Sequence, residues 1–138
     1  MKNSLLAIII LFSSFVFGQE ESAKIPQIGV KVSLGETVVL KGVSVKFLEV
    51  VEDSRCPENV NCIWAGRAIV KAEVTSNGKT EEKTLTFGEV KPGEEKNTNL
   101  YSSSKFAING LTLNPYPTSE KTGKNSGYTL LICEEKNN

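Results

Sequence analysis

The sequence predicts an all-β domain, an antiparallel β-sandwich or a partly open barrel of about seven or eight strands. Three observations lead there. Apolar residues recur mostly with period two, the side-chain repeat of a strand. Turn-forming residues interrupt them about every eight to twelve positions. No stretch shows the recurrence of apolar residues that an amphipathic helix needs.

The elements follow in chain order. Ile28, Val30 and Val32 alternate with polar neighbours up to Gly35, and residues 37–40 form a short apolar run that stops at Lys41-Gly42. Val43, Val45 and Phe47 share one face, after which Leu48 and Val50 take the opposite phase. A slip of one residue inside a strand is what a β-bulge produces, so a bulge is expected near Phe47. Ala68, Val70, Ala72 and Val74 alternate with Arg67, Lys71 and Glu73, Ile69 being the exception. Asn77-Gly78 follows, and both residues tolerate positive φ, the requirement of a tight hairpin. The strand returning from it spans residues 80–87, with Leu85 and Phe87 inward. Phe106 and Ile108 lead to Asn109-Gly110, which reads either as a tight turn or as a bulge, before Leu111 and Leu113. Residues 128–133 are apolar on both faces, which suits a central strand. The polar segments 88–104 and 114–127 read as solvated connections.

At 138 residues, 39% hydrophobic and 23% charged, the chain suits one domain. Its first 18 residues read as a secretory signal peptide: Lys2, an apolar run over residues 5–17, then Val16, Phe17 and Gly18 before Gln19. The run is shorter than the about 20 residues a spanning helix needs. No stable membrane span is expected after cleavage, and residues 19–138 form the β-rich domain, secreted or periplasmic. Sixteen basic and sixteen acidic residues balance, so no field points to nucleic acid as a partner. The chain has no histidine, which excludes Ser-His-Asp and Cys-His nucleophile systems and histidine-containing zinc sites.

The densest motif is Asp53-Ser54-Arg55-Cys56-Pro57, followed by Cys62 and then Trp64-Ala65-Gly66. In an exported chain Cys56 and Cys62 are expected to pair. The short loop they close would contribute about 2–2.5 kcal/mol by the chain-entropy relation. Asp53 can accept hydrogen bonds from backbone amides ahead of it, and Gly66 permits a tight turn into the next strand.

This motif, with a later Pro115-Tyr116-Pro117 after Leu111 and Leu113, resembles a family of uncharacterised exported bacterial β-rich proteins. The resemblance spans most of the chain beyond the leader, implies an exported β-rich domain and carries no activity with it. The third cysteine, Cys133, lies outside the pattern.

Two readings of the disulfide loop follow. The commoner arrangement in small β-domains makes it a staple, with Trp64 buried over the disulfide. The other presents it as a binding surface in which Arg55, Glu58, Asn59 and Asn61 surround an accessible Trp64. A calcium site on Asp53, Glu58, Asn59 and Asn61 lacks the spacing of an EF-hand loop. Cys133 reads as a small buried hydrophobe, with Glu134 and Glu135 raising its pKa. The acidic pairs Glu81-Glu82 and Glu94-Glu95 read as solvated faces. No catalytic residue, metal ligand or cofactor is expected. The expected function is non-catalytic binding of an extracytoplasmic protein or glycan, with Arg55, Glu58, Asn59, Trp64 and Tyr116 as candidate contacts. The alternatives are a protease-inhibitor-like domain, for which the sequence offers loops and no signature, and a structural envelope component. Charge-neutral changes at Arg55, Asn59 or Tyr116 are expected to weaken capture while leaving the unfolding midpoint nearly unchanged.

Overall fold

The structure, a computed structural model, describes residues 28–120 and 127–137. The leader assigned to residues 1–18 and part of the segment 114–127 lie outside the described residues. Eight strands follow in order: β1 (Gly29–Ser33), β2 (Thr37–Leu40), β3 (Val43–Asp53), β4 (Arg67–Ser76), β5 (Lys79–Gly88), β6 (Asn99–Ser102), β7 (Phe106–Asn114) and β8 (Thr129–Lys136). They form two antiparallel four-stranded sheets, ordered β1-β8-β7-β6 and β2-β3-β4-β5. The sheets stay open, so the architecture is a sandwich rather than a barrel. Among the described residues no helix is long and apolar enough to cross a membrane.

The core follows from the alternation. Ala68, Val70, Ala72 and Val74 on β4 are all buried and face Val45, Phe47, Leu85 and Phe87 of their own sheet's inner surface. The opposing sheet supplies Val32, Leu100, Ile108, Leu113, Leu130 and Ile132. β8 lies between β1 and β7, the interior position expected for its apolar run. The Asn77-Gly78 turn has φ of 51° and 75°, as a two-residue hairpin loop requires.

Asn109-Gly110 lies inside β7 rather than at a turn, with a register shift between Gly110 and Thr112. The glycine is there because the sheets meet across it. A Cβ at Gly110 would stand 2.8 Å from Phe87 Cζ and 2.9 Å from Leu85 Cδ1.

One expectation is corrected. The segment 88–104 is not wholly a connection, because it contains β6, whose Leu100 is fully buried. A four-residue strand with one inward apolar side chain and a bulge opposite β7 is too short to show alternation.

The bulge near Phe47 is present, between Phe47 and Glu49, and a second lies between Val50 and Glu52. Together they decide which end groups of β3 reach the core. Phe47, Val50 and Asp53 pair with Ala72, Val70 and Ala68, so all three share the inner face. Asp53 is thereby turned between the sheets, while Glu52 is placed on the outer face with Ile69 opposite.

Candidate functional site

The β3–β4 loop crosses one end of the sandwich and contains the whole motif. Its base is a polar latch centred on Arg55, which is 8% exposed. Arg55 Nε and Nη2 donate to the two carboxylate oxygens of Asp53 at 2.7 and 2.8 Å, a bidentate ion pair. Nη1 donates to the Leu113 carbonyl at 2.6 Å and Nη2 also to the Pro115 carbonyl at 3.0 Å. Tyr116 covers the guanidinium, its ring centroid 4.8 Å from Arg55 Cζ. Tyr128, just before β8, donates its hydroxyl to Asp53 Oδ2 at 3.0 Å. Two of the four Arg55 contacts hold Asp53 on β3 and two reach the end of β7, while the Tyr128 hydroxyl ties Asp53 to the start of β8, so the latch joins the loop of one sheet to the other.

The titration of Asp53 reflects that setting. Burial by itself would push the carboxyl up, but the Arg55 guanidinium and the Tyr128 hydroxyl hold it below its ordinary value. Tyr128 is pushed up by burial and by its bond to the Asp53 carboxylate. The expected acceptor role of Asp53 toward backbone amides is thus mainly filled by the Arg55 side chain.

The backbone of the motif is fixed as tightly. Ser54 N donates to Arg67 O, Cys56 N to Ala65 O, and Glu58 N to Pro117 O. Gly66 has φ of +74° and a Cβ there would lie 1.9 Å from the Ser54 carbonyl oxygen, so no other residue fits. On the outer face, Arg67 is buried between Glu52 and Glu94, whose carboxyls it holds below their ordinary values. Ser54 Oγ completes the cluster by donating to Glu52 at 2.8 Å.

Beyond this base the chain projects as a tip. Cys56 and Cys62 are joined, with Cα atoms 5.9 Å apart, and close it at the neck. Glu58, Asn59, Val60, Asn61, Cys62, Ile63 and Trp64 are all exposed, Ile63 completely. Trp64 is 41% exposed. The reading of Trp64 as a buried lid over the disulfide is therefore corrected. The inward position at this end of the sandwich is already filled by Arg55, Asp53 and Tyr128, which leaves the indole outside.

The candidate contacts separate accordingly. Trp64, Glu58, Asn59 and Tyr116 reach solvent, whereas Arg55 is turned inward with its donors used internally. Sequence reasoning missed Ile63 and Val60 because a large apolar side chain ordinarily suggests burial. Cys133 is buried in β8, and burial first, then the Glu135 charge, push its thiol up, away from a reactive thiolate.

Comparison of the chain with models of protein families, with curated proteins and with solved structures gives no match.

Proposed function

We propose that the protein is an exported, non-catalytic binding domain that engages a partner protein through the tip of its disulfide loop. The observation that carries this reading is the apolar tip itself: Val60, Ile63 and Trp64 are all held in water on a loop fixed by a disulfide, a buried arginine and the Glu58–Pro117 bond. Exposing three apolar side chains on one loop gains nothing for the fold. Presenting them on a rigid base lowers the ordering cost of association. A wholly exposed isoleucine has no polar edge for sugar hydroxyls, which favours an apolar pocket on a protein over a glycan. The intact disulfide and the resemblance of the motif to exported proteins support an oxidising location outside the cytoplasm.

An exposed, disulfide-closed loop is also what a protease-inhibitor-like domain would present to a protease, and that narrower reading is checked by inhibition assays against a serine- and cysteine-protease panel. The general reading is checked by a photo-crosslinker placed at position 63 and, as control, at Val39, an exposed residue on β2. A discrete adduct from position 63 alone, competed by the purified protein and not by its Ile63→Ser variant, is expected. Equal or absent labelling at the two positions would overturn the tip as a binding element.

A further inference from the structure

A second site lies away from the tip, where the two sheets part. β5 is ten residues long and β6 is four, so β6 covers only part of the inner face of β5. Leu85 and Phe87 on that face are buried against Gly110 of β7. Further along the same inner row come Lys83, Glu81 and Lys79, opposite Ala72, Val74 and Ser76 of β4. They border a cavity of 440 Å³. That lies within the range of about 300–1,000 Å³ usual for small-ligand sites.

Its chemistry is specific in three respects. The floor is apolar and aromatic, formed by Val74, Leu100 and the half-buried Tyr101, whose ring leans on Phe106 at 5.6 Å. The wall carries Ser76 and Asn77, whose side chains make no hydrogen bond to another described residue and can both donate and accept. The charge is unbalanced: Glu81 is matched by Lys83 at 2.8 Å, while Lys79 forms no ion pair among the described residues.

We propose that this cavity binds an acidic saccharide, a pyranose carrying a carboxylate. The ring would lie on the Tyr101 floor, its hydroxyls would meet Ser76 and Asn77, and its carboxylate would pair with Lys79. A wall this polar disfavours an acyl chain, and the surplus cation disfavours a neutral sugar. Charges pointing inward on an edge strand also deter strand addition, but that role requires no ligand and makes no selection among ligands.

The test is an amide-resolved NMR titration of the oxidised protein with digalacturonate, with galactobiose and acetate as controls. Saturable shifts confined to residues 76–83 and to Asn99–Ser102 are expected, with either control weaker by about tenfold or more. Lys79→Gln, a change at the surface of the cavity, should weaken digalacturonate by about tenfold. Glu81→Gln should tighten it, because it removes the carboxylate that competes for the lysines. No saturable shift at these amides, a control binding as tightly as digalacturonate, or an unchanged or weakened affinity in Glu81→Gln would overturn the proposal. None of these outcomes depends on the tip.

Discussion

Replacing Arg55 with methionine tests the latch. The substitution keeps an unbranched side chain of related length but removes all four donor contacts to Asp53, Leu113 and Pro115. Removing one member of a buried ion pair typically costs about 3–5 kcal/mol, because the other charge is left uncompensated. Asp53 keeps the Tyr128 hydroxyl and is not wholly enclosed, so the lower end, about 3 kcal/mol, is expected. For a domain of this size that lowers the thermal midpoint by about 12–24 °C. The assay is urea unfolding followed by far-ultraviolet circular dichroism. The double variant Arg55→Met with Asp53→Asn should be less destabilised than the sum of the two single ones, because the second change removes the stranded charge. A single-variant loss below about 1 kcal/mol, or strict additivity, would refute the latch. From its burial and bonds, changes at Arg55 are now expected to lower the unfolding midpoint, in contrast to the sequence-based expectation, whereas changes at exposed Asn59 should not.

Further outcomes follow from the same geometry. Asp53, Glu52 and Glu94 all have depressed carboxyl pKa values in the folded state, so their contribution is present above the unfolded value of about 4 and is lost as pH falls through the folded values. Acid titration of stability should therefore fall below about pH 4, less steeply in Asp53→Asn, and a variant curve parallel to wild type would remove Asp53 from the account. Gly110→Ala forces a methyl against Phe87 and Leu85 and should cost about 1–3 kcal/mol by calorimetry; a neutral result would mean that the sheets do not meet there. Converting Cys56 and Cys62 together to serine should cost about 2 kcal/mol in denaturant titration, and an unchanged midpoint would mean that the Arg55 latch and the backbone bonds of the loop hold it without the disulfide. Trp64 should emit at long wavelength and be readily quenched by acrylamide, whereas blue-shifted, protected emission would restore the buried-lid reading.

The parts legible in the sequence were those encoded within a few residues. The β4 alternation, the Asn77-Gly78 turn and the bulge near Phe47 depend on local side-chain periodicity and on which residues accept positive φ. The Cys56–Cys62 bond was legible because a six-residue separation leaves little choice of partner once export is assumed. Other features depend on what the opposite sheet delivers. Gly110 was ambiguous because turn and close approach both call for glycine, and only Leu85 and Phe87 on the other sheet decide between them.

Arg55 and Trp64 show the division most clearly. From the sequence, the arginine belongs at a solvated rim and the tryptophan inside, as their hydrophobicity dictates. The second bulge of β3 instead turns Asp53 inward, and the carbonyls of Leu113 and Pro115 arrive from 58 and 60 positions away to complete a pocket for a guanidinium. The sequence alone determined an all-β chain with a stapled loop, because strand period and turn chemistry are local. Which side of that loop faces the core was decided only in the tertiary structure, because burial of a charged group depends on partners brought together by the packing of two sheets.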